Sequence, residues 1–161
     1  MAVATAIAAP ILAQTAPADP FLTANAKKPG VHVTSSGLQY RVLKPGSGAF
    51  PGATDVALIL YRGKLANGTT FDSVAQPVPL PVDKVVPGFA EGLRLMRKGA
   101  TVRLWIPPAL GYGAKEQRDD QGKVVIPANA ILVFDVTLVD FMPLEGYERL
   151  RRLGEPWVPS S

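Results

Sequence analysis

The sequence predicts an α+β domain in which an antiparallel half-barrel sheet of about five strands wraps around one short α-helix. Short apolar or alternating runs, bounded by Gly and Pro, recur along the chain and are typical of β-strands. One central stretch, residues 88–99, has helical periodicity with clear start and end signals. Because one amphipathic helix covers only one face of a sheet, we expect the sheet to curve around it.

The predicted strands are arranged as antiparallel neighbours. Leu38, Tyr40 and Val42 alternate with polar residues in the first strand. The dipeptide Asn67-Gly68 indicates a hairpin between the next two, because both residues tolerate positive φ. Too many prolines lie in 75–88 for a central strand, which leaves a loop or an edge. The predicted strands are 38–42, 56–65, 69–73, 101–108 and the apolar end of 126–141.

The predicted helix follows Pro87 and is amphipathic. Phe89, Leu93 and Met96 have the i, i+4, i+7 spacing that places side chains on one buried face. Gly99 suits a left-handed C-terminal cap. The space between this face and the sheet predicts a hydrophobic groove that is roofed by loops.

Composition excludes several classes of site. The 161-residue chain is large enough for one domain with appendages and contains no cysteine, which excludes disulfides and thiol nucleophiles. Its single histidine, His32, cannot form a multi-histidine metal site. The net charge of +4 is scattered rather than striped. We therefore expect no metal, no cofactor and no nucleic-acid partner.

The familiar catalytic motifs are missing, and aromatic residues take their place. The chain has no P-loop, dinucleotide fingerprint or nucleophile elbow. An acid–base pair of Asp72 with Asp135 or Glu91 rests on residue type alone. A core role is the alternative for most of the aromatic residues. Tyr112 lies between two glycines in a flap, where a large ring has little core to serve, and this favours a functional role.

The N-terminal residues suggest export. Residues 1–13 carry no charge and are too short to span a membrane, but they fit the apolar and cleavage regions of a secretory signal. A signal normally has Lys or Arg near its start, and residues 1–13 contain neither. The alternative is a disordered Ala-rich leader. We interpret 1–13 as signal-like and 14–34 as a flexible linker, with no stable membrane insertion. Without a signal the protein would be cytoplasmic.

Four blocks of sequence resemble the FKBP-type peptidyl-prolyl cis-trans isomerases, in that family's order. They are YRGKLANGTTFDS (61–73), VVPGFAEGLRLMRKG (85–99), PPALGYGA (107–114) and IPANAILVFDVTLVDF (126–141). The spacing also matches, except in the flap. The resemblance covers residues 35–142, and the lead-in at 27–46 is similar to that of exported bacterial members, which implies a periplasmic location. It implies an isomerase domain at 35–142 and a half-barrel fold.

The resemblance also implies which residues form the site. Proline would bind in an apolar pocket, with a substrate carbonyl accepting a hydrogen bond from the Val86 backbone N–H. The catalytic positions that it implies are Tyr61, Asp72, Val86 and Tyr112. The substrate-binding positions are Phe71, Leu80, Val85, Phe89, Ile126 and Phe134. The implied partners are proline-containing unfolded or partly folded polypeptides and macrolide-type immunophilin ligands.

The sequence departs from the family pattern at the pocket. Phe89 stands where the family usually has tryptophan, and Leu80 where it often has phenylalanine. The flap is longer than usual and charged. These differences put substrate preference in doubt and leave a second hypothesis open, a non-catalytic polypeptide-binding chaperone or scaffold on the same fold. A third, an unrelated ligand-binding β-barrel, requires the ordered blocks to be coincidence.

The C-terminal tail, residues 143–161, carries Leu144, Tyr147 and Leu150 at helical spacing. We expect it to form a short helix that packs on the domain or frays. The N-terminal segment lacks the long helical pattern of dimeric relatives. We therefore expect a monomer.

Overall fold

A computed structural model describes residues 19–161. The signal-like segment 1–13 and the start of the predicted linker lie outside the described residues. The helices are α1 (Pro20–Ala26), α2 (Pro87–Arg94) and α3 (Leu144–Leu153), and 3₁₀ turns span Val82–Lys84 and Pro108–Leu110. The strands are β1 (His32–Val33), β2 (Gln39–Lys44), β3 (Asp55–Leu65), β4 (Thr70–Ser73), β5 (Val78–Pro81), β6 (Thr101–Ile106), β7 (Gln117–Arg118), β8 (Val124–Ile126) and β9 (Leu132–Pro143).

The main sheet is open, antiparallel and seven-stranded. Its order is β1-β2-β6-β9-β3, and both β4 and β5 pair with the outer edge of β3. The short strands β7 and β8 form a separate hairpin within the flap. The predicted fold, an antiparallel half-barrel around one short helix, is confirmed, although the sheet has more short strands than expected and α1 is additional. The helix α3 is the short helix expected in the C-terminal tail.

The core lies between α2 and one face of the sheet. Side chains of β9 alternate from Leu132 to Leu138, so that Leu132, Phe134, Val136 and Leu138 enter the core while the residues between them face away. Leu93 of α2 packs into the same cluster and is fully buried. Fully burying one such side chain stabilises the fold by about 1.5–3 kcal/mol. Burial on this face therefore fixes the register of the sheet.

Two glycines bring α2 close to β6. A Cβ at Gly88 would lie 2.6 Å from Ile106 Cγ2, and one at Gly92 would lie 2.5 Å from Leu104 Cδ1. Any larger residue would push the helix away from the strand. The glycines of the predicted helix are therefore a packing requirement, and they set the depth at which α2 lies in the sheet.

The helix ends earlier than predicted. The sequence interpretation extended it to a cap at Gly99, but α2 ends at Arg94 with Leu95 as its C-cap. The amides of Leu95 and Met96 bond to carbonyls three residues back, which tightens and ends the helix. Gly99 does have a positive φ, of 84°, and its amide donates to the Leu138 carbonyl at 2.7 Å. It joins a loop to the sheet rather than capping the helix.

The outer edge of β3 confirms the predicted hairpin and edge strand. The Leu65 amide donates to the Thr69 carbonyl at 2.8 Å and closes a loop in which Gly68 has a φ of 90°. Asn67 keeps a negative φ, and its side chain accepts from the Thr69 amide instead. The proline-rich segment forms the edge strand β5, where a missing backbone donor costs little.

The predicted flexible linker has defined structure from residue 19 onward. Asp19 caps α1 by accepting hydrogen bonds from the amides of Phe21 and Leu22. Asn25, 1% exposed, donates to Gln39 Oε1 at 2.8 Å, and Gln39 donates to the Leu22 carbonyl at 2.8 Å. This buried amide pair ties α1 to β2. The predicted linker, residues 14–34, therefore contains a helix at Pro20–Ala26, because a buried contact between two polar residues leaves no apolar pattern in the sequence.

The C-terminal tail folds back onto the sheet. After α3, Gly154 adopts a left-handed cap with a φ of 65°, and the Trp157 ring lies 5.9 Å from that of Tyr147. The Asp140 carboxylate, in a residue 7% exposed, accepts from Trp157 Nε1 at 3.3 Å and from the Ser160 amide at 3.0 Å. Lys98 lies 3.8 Å from the same carboxylate. We call these contacts the Asp140 clasp.

The Asp140 clasp favours the ionised carboxylate. Burial alone would raise the pKa of Asp140, but hydrogen bonds from Ser160, Phe141 and Trp157, together with the charge of Lys98, outweigh it and hold the pKa below its ordinary value. A lowered pKa in the folded state contributes stability above the unfolded-state pKa. That contribution is lost as the pH falls through the folded-state pKa.

We predict that Asp140→Asn lowers the free energy of unfolding at pH 7 by about 1.5 kcal/mol, the value of a hydrogen bond to a charged group. The difference from wild type should shrink below about pH 4. Denaturant unfolding at several pH values measures it. Asp120→Asn, at an exposed carboxylate in the flap, is the matched control. Equal losses for the two variants would contradict the prediction.

Candidate functional site

An apolar cavity of about 260 Å³ opens between the start of α2, the end of β3 and the flap. Small-molecule sites in proteins are of similar or larger volume and are lined mostly by apolar side chains with a few polar groups. The residues that line the cavity are Tyr61, Phe71, Asp72, Leu80, Lys84, Val85, Val86, Phe89, Tyr112 and Phe134. Nine of them are positions that the sequence had indicated, drawn from seven separate elements and loops.

Phe134 is the centre of the aromatic wall. Its ring lies 4.9 Å from that of Phe89, 5.5 Å from that of Phe71 and 6.1 Å from that of Tyr61, and each pair meets edge to face. Such pairs are worth about 0.5–1.5 kcal/mol each beyond their buried area. Because Phe134 is 7% exposed, its neighbours hold it in one orientation. The cavity therefore has a rigid aromatic wall.

Gly63 makes room for this wall. It lies on β3 opposite Phe134 of β9, and a Cβ there would fall 2.6 Å from Phe71 Cζ and 2.7 Å from Phe134 Cε1. The two rings occupy the space of the missing side chain. Gly63 thus determines the shape of the cavity although it is absent from its lining.

Tyr61 and Asp72 form the polar edge of the cavity. The Tyr61 hydroxyl donates to Asp72 Oδ2 at 2.7 Å, across the β3–β4 pair. Burial raises the pKa of Tyr61 above its ordinary value, and the hydrogen bond and negative charge of Asp72 raise it further. The phenol therefore stays protonated at neutral pH. This bond fixes Asp72 beside the mouth and leaves its second carboxylate oxygen without an intramolecular donor among residues 19–161.

The start of α2 supplies a backbone donor. Val86 is the N-cap residue, and its carbonyl accepts from the amides of Phe89 and Ala90 at 3.0 Å. Within residues 19–161 the Val86 amide itself donates no hydrogen bond. Val85 and Val86 both line the cavity, so a ligand in it would lie beside this N–H. Unpaired backbone donors near an apolar surface are natural contacts for a ligand carbonyl.

Tyr112 lies in the flap above the cavity and is 39% exposed. The segment is closed by local bonds, from the Gly113 amide to the Pro108 carbonyl at 2.9 Å and from the Asn129 amide to the Gly113 carbonyl at 2.7 Å. Gly113 has a φ of 58°, which a side chain rarely adopts. The glycines around Tyr112 thus position its ring at the mouth.

Ile126 and Lys84 are the two positions where the lining differs from expectation. Ile126 is 4% exposed and packs into the core at the base of the flap, where the chain leaves β8, so it does not line the cavity. Lys84, at the end of the 3₁₀ turn before Val85, does line it. A single lysine in a turn carries no distinguishing sequence signal, and it was missed.

The cavity is apolar and has a small number of hydrogen-bond donors at its edge. Among residues 19–161, no group of three or more His, Asp or Glu side chains is placed to hold a metal ion. The aromatic wall suits a small apolar ring, while the Val86 amide and the Tyr112 hydroxyl suit a neighbouring carbonyl. Fold and cavity together define a half-barrel protein with an apolar, aromatic-walled cavity at the start of its central helix.

Comparison with known proteins identifies the family. The model described as FKBP-type peptidyl-prolyl cis-trans isomerase matches residues 48–139, and the domain amino terminal to such isomerases matches residues 4–42. This chain therefore belongs to the FKBP-type peptidyl-prolyl cis-trans isomerase family. The second match spans most of the segment that the sequence interpretation assigned to a leader and a linker.

Three relatives illustrate the similarity. The isomerase FkpA of Aeromonas hydrophila is 47% identical over 74% of this chain and 43% of its own length. Outer membrane protein MIP of Legionella longbeachae is 39% identical over 75% and 51%. A crystal structure of a Pseudomonas syringae peptidyl-prolyl cis-trans isomerase has a TM-score of 0.70 and 33% identity, over 75% and 87%. The chain thus spans about half the length of the first two relatives.

No helix within residues 19–161 has the length and apolarity needed to cross a membrane.

We predict that Gly63→Ala lowers the free energy of unfolding by about 1–3 kcal/mol, the usual result of overpacking, because Phe71 and Phe134 must move. Denaturant unfolding measures the loss. Gly146→Ala is the matched control: it adds the same methyl group in α3, 3.6 Å from the Met142 sulfur, and should raise stability by about 0.5–1 kcal/mol. Tolerance of alanine at position 63 would show that the rings are not held as described.

We predict that one of the four tyrosines ionises later than the others in an alkaline titration of the folded protein, and that Tyr61→Phe removes this late component. A raised pKa means that the contribution of Tyr61 to stability is complete below about pH 10 and is lost above it. The tyrosinate absorption band follows the titration. Tyr147→Phe, the matched control, should keep the late component. If the late component remained in Tyr61→Phe, its assignment to Tyr61 would be wrong.

Proposed function

We propose that this protein is a peptidyl-prolyl cis-trans isomerase that accelerates X-Pro bond rotation in folding polypeptides. The observation that carries the proposal is the aromatic-walled cavity with the unpaired Val86 amide at its edge. Membership of the FKBP-type family supports it. Proline offers a ring of suitable size and polarity, and the carbonyl beside it offers an acceptor for the amide.

The reaction needs no nucleophile or metal. Rotation about the amide has a barrier of about 18–20 kcal/mol because it interrupts resonance, and no covalent bond is made or broken. The twisted amide carries less charge separation than the planar one. An apolar cavity removes water from both forms, and this disfavours the planar amide more. The protein then contributes a surface that favours the twisted form.

We assign roles to the cavity residues as follows. The Val86 amide donates to a substrate carbonyl and holds the chain on one side of the rotating bond. The Tyr112 hydroxyl makes a second polar contact from the flap. Tyr61 and Asp72 form the polar edge, oriented by their mutual hydrogen bond. The proline ring packs against the aromatic wall, with Phe89 as its floor, and Leu80 and Val85 at the rim.

Phe89 and Leu80 are the two positions at which the lining of this cavity departs from the family pattern. Phe89 is 4% exposed and its ring meets Phe134 edge to face, so the floor is aromatic but narrower than tryptophan would make it. An indole would also add an N–H donor to the floor. We infer weaker binding of large ligands, including the macrolide-type ligands of immunophilins, than a tryptophan floor would give. Ile126 acts only indirectly, by holding the base of the flap.

We also propose export to the bacterial periplasm and action as a monomer on proline-containing unfolded or partly folded chains. Export is supported by the apolar, uncharged residues 1–13 and by the name of the Legionella relative. A cytoplasmic location follows if residues 1–13 are retained. Cell fractionation and the mass of the mature chain test the location, and sedimentation tests the monomer.

We predict that the wild-type protein speeds the cis-to-trans conversion of a short X-Pro peptide and that Tyr112→Phe lowers kcat/KM about fivefold. The variant loses one hydrogen bond, worth about 1 kcal/mol. A protease-coupled or NMR exchange assay measures the rate. Tyr147→Phe removes a hydroxyl far from the cavity and should leave the rate unchanged. Peptide binding without acceleration would contradict the isomerase and favour the non-catalytic module on the same fold.

A further inference from the structure

Of the two charged groups at the proline cavity, one has a hydrogen-bond partner among the described residues and the other has none. Two charged side chains line it, Asp72 and Lys84. Asp72 accepts the Tyr61 hydroxyl at 2.7 Å. Lys84 is exposed, and its ammonium group takes part in none of the ion pairs or side-chain hydrogen bonds found within residues 19–161. The mouth of the cavity therefore carries an unpaired ammonium group in addition to the Asp72 carboxylate, which already accepts the Tyr61 hydroxyl.

The backbone fixes where this charge meets substrate. Lys84 ends a 3₁₀ turn, and Val85 and Val86 follow it in extended conformation before α2 begins. Lys84 is thus two residues from the amide that is free to hold the substrate carbonyl, a separation of at most about 7 Å between Cα atoms. All three residues line the cavity. A chain docked on the Val86 amide therefore brings the side chains beside its proline within reach of the lysine stem.

We propose that Lys84 is a specificity-determining residue that favours substrates with an acidic side chain next to the proline. The inference rests on the proposed function and adds a substrate class to it. A lysine ammonium is a compact charge on a flexible stem, so it can follow a carboxylate on either side of the proline. The ammonium repels a positively charged side chain at the same position of the substrate.

The size of the preference follows from the exposure of Lys84. Exposed ion pairs are weak, and we expect peptides with Glu beside proline to have about threefold higher kcat/KM than matched peptides with Lys there. Because the effect is electrostatic, it should disappear in about 1 M salt, where the screening length is about 3 Å. A packing effect would survive that salt concentration.

The test uses the full chain and short peptides with Glu, Gln or Lys directly before or directly after the proline. Wild type should prefer Glu over Lys at low salt, at one or both positions. Lys84→Gln should abolish the preference and Lys84→Glu should reverse it. Lys27→Glu, an equal charge change at an exposed residue beside α1, is the matched control and should keep the wild-type preference.

The outcomes separate this inference from the function on which it rests. Equal rates for Glu and Lys peptides with wild type, or a preference that persists in Lys84→Glu, overturn the role of Lys84 and leave the isomerase intact. If Lys27→Glu also reverses the preference, the effect comes from the overall charge of the protein. That result overturns the inference as well. No acceleration of the uncharged Gln peptide overturns the proposed function itself, and the inference with it.

Discussion

The close contact between α2 and the concave face of the sheet determines both the fold and the site. It depends on the bare Cα atoms of Gly88 and Gly92 against Ile106 and Leu104. With the helix at this depth, Phe89 reaches the ring of Phe134, and the start of α2 lies at the edge of the aromatic wall. A helix pushed outward by one methyl group would separate these groups. The packing that buries the core is therefore the packing that shapes the cavity.

The cavity joins a rigid wall to an adaptable mouth, and each part follows from its local structure. Phe134, Phe89 and Phe71 come from a long strand, a helix and a hairpin strand, which hold their rings in edge-to-face contact. Tyr112 and Lys84 come from turns, where side chains reach solvent. A wall that does not move suits a proline ring, which is the same in every substrate. A mouth of turn residues suits the neighbouring residues, which differ.

Patterns within one element were predictable from the sequence, whereas contacts between distant segments were not. Alternation along β9 and the 3.6-residue spacing of Phe89, Leu93 and Met96 are local, and both predicted burial correctly. The ordered resemblance blocks contain eight of the nine indicated residues that line the cavity, and Leu80 lies between two blocks. The structure of α1 depends on Asn25 meeting Gln39, fourteen residues away, and no local pattern shows that two polar residues will bury each other. The early end of α2 and the inward position of Ile126 have the same origin, because core packing decides each.

The terminal segments stabilise the sheet without competing for the cavity. Leu58 and Asp140 are cross-strand partners, and Leu58 is buried although it lies outside the core cluster that its neighbour Ile59 joins. Adjacent strand residues point to opposite faces, and the β-bulge beside Leu58 and Ile59 reverses the facing of β9 after Leu138. The Asp140 clasp therefore lies on the face away from α2. Gln39, which anchors α1, pairs with Trp105, whose neighbour Leu104 is in the core, so α1 is also held on the outer face. Both attachments therefore cover the outside of the half-barrel and leave the cavity on its concave side open.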